Sequence, residues 1–508
     1  MKIPRLVISA MRGGAGKTLL SIGIIAAWRK CGKKIAPFKK GPDYIDTGWL
    51  ALAAASPCHN LDTFMMPQEQ VLKSFLFRSS KSDVAVIEGN RGLYDGIDHK
   101  GSTSTAELAK LLDSPVIVCL DCTKSTRTLA AAVLGCLRFD PHLKIKGVIL
   151  NRIAGARHER IIRRSIEQHC GIPVLGAVPK LIRQELPERH MGLIPPAENC
   201  RAQDAIAGAR EMAEAYLDLK ALAAVADQNV LVKPDWKVPD TLCIGRGAEK
   251  GATEPDQPPE FRRTAGRRDL KKAAADEPDR ELKIGIVQDA AFQFYYPENI
   301  EALEAEGATP VFISPLKTGP VPPVDAIYMG GGFPETHARQ LADNERFKAC
   351  LKSLAREGLP VYAECGGLIY LGQSLVMNET SYPMAGVFPI VFGFSDKPEG
   401  HGYTVVEVTK KNPYFAVGTE LRGHEFHYSR VLKWDGNEAD LIFSMKRGSG
   451  FINKKDGLRY KNILATYTHI HALGTPLWAP ALVRNAREYN RAKRLDRKND
   501  SSCRFRSG

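Results

Sequence analysis

The sequence predicts an α/β protein built from two domains, the first with a mostly parallel sheet. Over residues 5–179, short apolar runs alternate with helical patterns, which is typical of parallel strands covered by helices. The alternation resumes after a charged stretch with very few large apolar side chains. A glycine-rich turn directly follows the first apolar run. We therefore predict domains at 1–235 and 282–490, a flexible charged linker at 236–281 and a basic disordered tail at 491–508.

The apolar runs mark the strands in chain order. In the first domain they are Arg5–Ala10, Ile35–Phe38, Val84–Ile87, Val116–Leu120, Gly147–Leu150 and Val174–Pro179. A helical pattern over 202–224 closes this domain. In the second domain the predicted strands are Leu282–Val287, Thr309–Ile313, Ala326–Met329 and Leu359–Ala363.

Composition and charge exclude several classes of protein. No apolar run reaches the roughly 18 residues of a membrane helix, and the apolar start is too short for a signal peptide. The eleven cysteines show no disulfide-framework spacing, which suits a reducing compartment. The formal charge of +14 is uneven along the chain, and the basic tail lacks interleaved aromatic residues. We predict a cytoplasmic protein with no nucleic-acid or membrane partner, and the sequence leaves a homodimer open.

The turn after the first strand has the composition of a phosphate-binding loop. Its glycines let backbone N–H groups approach phosphate oxygens, the following helix directs its positive end there, and a lysine adds a cation. The residues predicted to bind ATP here are Gly13, Gly14, Gly16, Lys17 and Thr18, with the Thr18 hydroxyl also on Mg²⁺. With Arg12 at the position of the signature lysine, the loop resembles that of P-loop ATPases related to dethiobiotin synthetase and the partition ATPases.

A second reactive segment, Val361–Tyr370, is predicted to form a strand, a tight turn and a helix, with Cys365 at the turn. This nucleophile elbow exposes the sulfur at a helix N-terminus, whose partial positive charge favours the thiolate. His469, on a late strand, is the candidate base. An oxyanion hole is predicted from the backbone N–H groups of Gly331, Gly332 and Gly366.

These segments together resemble a class I glutamine amidotransferase, which implies a flavodoxin-like fold for the second domain and L-glutamine as a substrate. Two positions depart from the usual motif: Ala363 replaces the first glycine of the elbow, and His471 stands where the triad glutamate is expected. The result is a Cys365–His469 dyad with no identified orienting group, as in the branch of these enzymes that acts on cobyric-acid-type substrates.

Five further segments make the resemblance more specific. They are Phe38–Asp46, Asn60–Asp62, Glu88–Gly96, Phe292–Asn299 and Arg422–Ser429. With the P-loop and the elbow, they resemble the motifs of the cobyrinate a,c-diamide synthase family over nearly the whole chain. The resemblance implies Mg²⁺, ATP and glutamine-dependent amidation, through acyl phosphates, of the a- and c-acetate carboxylates of cobyrinate. The implied partner is thus a tetrapyrrole polycarboxylate.

Roles for the remaining residues follow within this family resemblance. Glu88 ends a strand beside the P-loop, where a carboxylate can hold Mg²⁺, and Asp46 is a second acidic candidate. Lys39 could neutralise charge on the transferring phosphoryl group. The resemblance assigns Asp43, Tyr44 and Asp95 to the substrate side and Asn151 to ATP binding.

Three alternatives remain at this point. The same chemistry on Ni-sirohydrochlorin or hydrogenobyrinate fits the same motifs, and Arg91, where many corrinoid enzymes carry Met, keeps the nickel substrate open. A partition-type ATPase switch would use the same P-loop but would have no use for the elbow cysteine. A degenerate amidotransferase acting as a scaffold is suggested by the missing triad glutamate.

Overall fold

The computed structural model describes residues 2–180, 188–189, 192–228 and 281–504 of the chain. We refer to 2–228 as the N-terminal part and to 281–504 as the C-terminal part. Both are α/β structures, which confirms the predicted fold class. The predicted linker lies outside the described residues except for Glu281.

The N-terminal part is built on a seven-stranded sheet in which every neighbouring pair is parallel. Its strands are β1 Arg5–Ala10, β2 Ile35–Lys40, β3 His59–Leu61, β4 Val84–Glu88, β5 Val116–Asp121, β6 Ile145–Ile153 and β7 Val174–Pro179. Their order is β3-β2-β4-β1-β5-β6-β7. A two-stranded hairpin follows, β8 Glu188–Arg189 and β9 Gly192–Leu193. Strands β1 and β4 are buried along their whole length, as expected of a sheet covered on both faces.

Eight helices pack on this sheet within the described residues. They are α1 Lys17–Lys30, α2 Ile45–Ala54, α3 Gln68–Ser79, α4 Thr105–Leu111, α5 Arg127–Phe139, α6 Ala156–Cys170, α7 Ala202–Tyr216 and α8 Leu219–Asp227. The single helix predicted over 202–224 is therefore two helices. The break has a local cause, because the Asp218 side chain accepts a hydrogen bond from the Ala221 N–H and caps the second helix.

The C-terminal part combines a parallel sheet with an antiparallel extension. Its strands are β10 Leu282–Val287, β11 Ala308–Ile313, β12 Ala326–Met329, β13 Val361–Glu364, β14 Ser374–Met377, β15 Thr380–Pro383, β16 Ile390–Phe394, β17 Gly400–Val408, β18 Glu420–His427, β19 Ser429–Trp434, β20 Leu441–Arg447, β21 Lys455–Tyr460, β22 Ile463–Thr466 and β23 His469–Ile470. The main sheet has ten strands in the order β11-β10-β12-β13-β22-β21-β20-β17-β18-β23. The first five are parallel and the others join antiparallel, so the sheet curves round to place β23 near β13.

The helices of the C-terminal part are α9 Pro297–Ala305, α10 Ala338–Asp343, α11 Glu345–Arg356, α12 Gly366–Leu371 and α13 Trp478–Arg504. The last of these, α13, includes residues 491–504 of the segment that we predicted as a tail. None of the described helices is both long and apolar enough to cross a membrane.

The two parts contact each other directly. The Arg78 guanidinium forms an ion pair with Glu301, and the Tyr403 hydroxyl donates to the Asp62 carboxylate at 2.7 Å. At the same interface, the backbone of Gly474 lies against the Met65 carbonyl so closely that a Cβ on Gly474 would overlap it. The interface therefore has no room for even one methyl group at this position.

We expect the substitution Gly474→Ala to lower the free energy of unfolding by about 1–3 kcal/mol, because the added methyl group must push two backbones apart. Thermal unfolding of the purified variant measures this. The matched control is Gly135→Ala in α5, where an added Cβ meets no atom within 4 Å. Equal unfolding midpoints for Gly474→Ala and the wild-type protein would contradict the close approach.

Candidate active site

The predicted phosphate loop lies between β1 and α1, with its backbone bent as a phosphate cradle requires. Gly16 has φ of 95°, a left-handed conformation that favours glycine, and a Cβ there would overlap the Asn151 side chain. Lys17, the first residue of α1, is 7% exposed, and its ammonium donates to the Arg91 carbonyl at 3.1 Å. The segment that follows β4 therefore lies against the loop.

Four predicted residues converge beside this loop. The Lys39 ammonium donates to Asp46 at 2.6 Å and to Glu88 at 2.9 Å, and the Thr18 hydroxyl donates to Glu88 at 2.7 Å. Burial alone would lower the pKa of Lys39, but the carboxylates around it raise the pKa well above its usual value. Burial raises the pKa of Glu88 in spite of that ammonium.

The donor set around Thr18 fits Mg²⁺. One oxygen of Glu88, Oε2, is fully buried and makes no hydrogen bond within the described structure, so a carboxylate lone pair faces this site unused. Thr18, Asp46 and Glu88 offer hard oxygen ligands, and Mg²⁺ is usually held by one or two carboxylates together with nucleotide phosphates. No cluster of three or more His, Cys, Asp or Glu side chains suited to a metal exists in the described residues, so the phosphates would complete the shell.

Asn151 and Arg12, two residues that the sequence analysis associated with the P-loop, contact other protein groups. The Asn151 amide donates to the Ala15 carbonyl at 2.8 Å and accepts from the Arg152 N–H at 2.9 Å, so it braces the loop from β6, two strands away from β1. A contact between Asn151 and the nucleotide stays a prediction. Arg12 is exposed and pairs with Asp121 at 2.5 Å, away from the Lys39 cluster.

The elbow around Cys365 has the predicted order of strand, turn and helix, but Cys365, whose sulfur we expected to be exposed, is buried. Cys365 lies between β13 and α12 with φ of 48°, an unfavourable conformation for a residue with a side chain, and its N–H donates to the Thr466 carbonyl at 2.8 Å. The expected thiolate is not favoured in this state. Burial, together with the carboxylates of Glu335, Glu364 and Glu425, raises the pKa of the Cys365 thiol.

Three chain segments meet in front of the elbow. A Cβ on Gly331 would lie 2.6 Å from the His469 ring, and a Cβ on Gly366 would lie 3.0 Å from the Gly332 nitrogen. The predicted base, the predicted oxyanion-hole glycines and the start of α12 are therefore adjacent. The His469 ring also stacks on His424 at 4.8 Å, and burial keeps the pKa of His424 well below its usual value, so His424 is neutral.

The three residues assigned to the substrate side separate in the structure. Asp43 and Asp95 line a cavity of about 360 Å³ between the two parts of the chain. Tyr44 instead reaches into the C-terminal part, where its ring stacks on Phe294 at 5.1 Å and lies 5.6 Å from the His469 ring. One loop of the N-terminal part thus contacts both the cavity and the candidate base.

The cavity is lined by basic side chains, of which sequence reasoning singled out only Arg91. Lys40 and Arg91 come from the N-terminal part, and His401 and Arg447 come from the C-terminal part. Lys40, Arg91 and Arg447 form no ion pair with another described residue, and burial lowers the pKa of Lys40. Lys40 also lies inside a quoted motif and could have been recognised by its charge. Arg447 is the last residue of β20, which contains none of the recognised motifs, so no sequence pattern pointed to it as a cavity residue.

Comparison with known proteins finds a matching family model for each of the two parts of the chain. A family model described as CobQ/CobB/MinD/ParA nucleotide binding domain matches residues 6–194, and one described as CobB/CobQ-like glutamine amidotransferase domain matches residues 283–476. The chain is 41% identical to a cobyrinate a,c-diamide synthase of Magnetococcus marinus, over 96% of this chain and 98% of that protein. It is 36% identical to a protein of the same name from Methanothermobacter thermautotrophicus, over 96% of this chain and 100% of that protein.

A protein of that name from Archaeoglobus fulgidus is 34% identical, again over 96% of this chain and 98% of the relative. The matches extend over nearly the full length of the relatives, and the two family models cover the P-loop and the elbow. The chain therefore belongs to the cobyrinate a,c-diamide synthase family, whose members join a nucleotide-binding domain to a glutamine amidotransferase domain.

Proposed function

We propose that this protein amidates the a- and c-acetate carboxylates of cobyrinate, with ammonia from glutamine and activation by ATP. The observation that carries the proposal is the cavity shared by the two parts. Its lining includes Asp43, which is 3.9 Å from the Lys39 ammonium of the phosphate site. It also includes His424, whose ring stacks on the candidate base His469. A carboxylate bound there would be within reach of both half-reactions.

In the glutaminase half, the Cys365 sulfur adds to the side-chain amide carbon of glutamine while His469 takes the thiol proton. The carbon–nitrogen bond then breaks as His469 returns the proton to the leaving nitrogen, which gives ammonia and a glutamyl thioester. Water hydrolyses the thioester to glutamate and restores the thiol. Backbone N–H groups of Gly331, Gly332 and Gly366 would stabilise the oxyanion in both steps.

In the ligase half, an oxygen of the acetate carboxylate attacks the γ-phosphorus of ATP, ADP leaves and an acyl phosphate remains. Ammonia then adds to the acyl carbon, and phosphate leaves with the formation of the amide. Thr18, Asp46 and Glu88 would hold Mg²⁺, which screens phosphate charge when bound. Lys17 and Lys39 supply positive charge at the same place.

The charge of the cavity supports a polycarboxylate substrate. Its acids are already engaged, since Asp95 accepts from the Gly92 N–H at 2.8 Å and Glu425 accepts from the Gly450 N–H at 3.0 Å. The cations Lys40, Arg91 and Arg447 are left to pair with carboxylates of a ligand. Because Arg91 is among them, Ni-sirohydrochlorin is one comparison substrate, and hydrogenobyrinate, which fits the same motifs, is the other.

We further propose that residues 1–235 form the ligase domain and 282–490 the glutaminase domain, and that the protein works in the cytoplasm. The nine cysteines whose side chains the structure describes are free, which suits a reducing compartment. A homodimer stays a prediction.

The proposal is tested by incubating the protein with cobyrinate, Mg-ATP and glutamine and measuring the product mass. Each amidation replaces a hydroxyl group by an amino group, so the mass counts the amides formed. We expect two amidations of cobyrinate. Cys365→Ala should lose synthesis from glutamine and keep synthesis from ammonium chloride, because the ligase site needs only ammonia.

Parallel reactions with Ni-sirohydrochlorin and hydrogenobyrinate decide the substrate. Preferential double amidation of one of these would replace cobyrinate in the proposal and keep the chemistry. ATP turnover with no change in any of the three tetrapyrroles would refute the proposed amidation.

The cavity is tested by the substitution Arg447→Met. A hydrogen bond to a charged group contributes about 1.5–3 kcal/mol, so we expect the KM for the tetrapyrrole to rise about tenfold or more. The KM for ATP should be unchanged. The matched control is Lys446→Met, one residue earlier on β20, where the ammonium pairs with Glu407 and Glu420 outside the cavity. Equal KM values for the two variants would exclude a role of the cavity cation in substrate binding.

A further inference from the structure

Glu364 lies next to the candidate glutaminase base. It is the last residue of β13, immediately precedes Cys365 and is fully buried. Its Oε2 atom is 3.4 Å from Nδ1 of His469. The carboxylate therefore approaches the imidazole from the side opposite to Nε2.

Glu364 is fixed in this position by hydrogen bonds from two other elements. The Tyr328 hydroxyl donates to its Oε2 at 3.2 Å, and the Ile470 N–H donates to its Oε1 at 3.1 Å. Tyr328 is held in turn by the Asn299 amide, which also donates to the Ile470 carbonyl at 3.0 Å. A carboxylate held so firmly cannot rotate away from the histidine.

The imidazole has an unused polar atom at this contact. Nδ1 of His469 is buried and makes no hydrogen bond within the described residues, and the Glu364 carboxylate, 3.4 Å away, is the acidic group that faces it. Buried polar groups are nearly always paired, and catalytic hydrogen bonds are often long before substrate binds. The other end of the ring faces the glycine turn, where a Cβ on Gly331 would lie 3.3 Å from Nε2.

We propose that Glu364 is the positioning carboxylate of the glutaminase, in place of the triad glutamate that the sequence lacks two residues after His469. This rests on the proposed roles of Cys365 and His469. His471, which occupies the usual glutamate position, pairs with Glu298 at 3.5 Å and so serves another contact. The orienting group is thus the residue directly before the nucleophile, and not the second residue after the base.

The consequence for the chemistry is a fixed tautomer. Once the Nδ1 proton is shared with Glu364, the lone pair of Nε2 is left on the side of the glycine turn, next to the start of α12, and is available for the thiol proton of Cys365. The carboxylate then stabilises the imidazolium that forms. Of the other titratable groups that face His469, His424 is neutral and Tyr44 presents its ring, so Glu364 supplies the only negative charge within salt-bridge distance among the described residues.

The test compares Glu364→Gln with Glu364→Asp, using glutamine hydrolysis as a function of pH and ammonia-driven synthesis. For Glu364→Gln we expect kcat/KM for glutamine to fall at least tenfold with KM little changed. The acidic limb of the pH profile should move to lower pH, because the imidazolium loses the carboxylate that favours it. Glu364→Asp should retain the limb, and ammonia-driven synthesis should persist in both.

The matched control is Asp456→Asn. Asp456 is also fully buried and accepts from Thr466, Tyr467 and Thr468, but within the described residues it forms no hydrogen bond or ion pair with His469. The proposal is overturned if Glu364→Gln has the wild-type pH profile, or if Asp456→Asn causes the same loss and the same shift. A Cys365→Ala protein that still hydrolyses glutamine would instead refute the proposed function.

A measurement on the unaltered protein decides the matter if the variants do not fold. Nitrogen-15 NMR of labelled histidine, with His469 assigned by His469→Asn, reports which ring nitrogen carries the proton. We expect a neutral His469 with the proton on Nδ1. A proton on Nε2 would overturn the proposal.

Discussion

The buried ammonium of Lys39 holds the centre of this molecule together. It neutralises Asp46 and Glu88, two carboxylates that could not otherwise share a buried site, and it lies at the end of the strand that leads into the loop before α2. In that loop, Asp43 accepts a hydrogen bond from the Asp46 N–H at 2.9 Å. The ion cluster therefore sets the conformation of the segment that carries Tyr44 into the C-terminal part.

The two reaction centres are thereby joined through one short piece of chain. Lys39 belongs to the phosphate site, Asp43 to the cavity, and Tyr44 to the surroundings of His469. A change in charge at the phosphate site, such as nucleotide binding brings, would act on Lys39 and through it on this loop. In the proposed reaction, this segment would link the phosphate site to the candidate glutaminase base.

Sequence reasoning predicted the elements with chemical signatures and missed those defined by tertiary contacts. The P-loop and the elbow were recognisable because phosphate binding and an exposed nucleophile each require particular residues at fixed spacing. The short strand β3 was missed because three residues carry no periodic pattern. The relation of Glu364 to His469 could not be predicted, since 105 residues separate them and only the pairing of β13, β22 and the curved sheet brings them together. The helix α13 was also missed, because its charged composition resembles that of a solvated tail.

The protonated state of Cys365 has a consequence for its chemistry outside the catalytic cycle. Oxidants and alkylating reagents react with thiolates, and the reaction is fast only where the thiolate is populated and accessible. Cys365 is 5% exposed and surrounded by carboxylates that disfavour ionisation. We expect such a thiol to react slowly with peroxide and with adventitious electrophiles when no substrate is bound. It should become reactive only toward a molecule that fits its site.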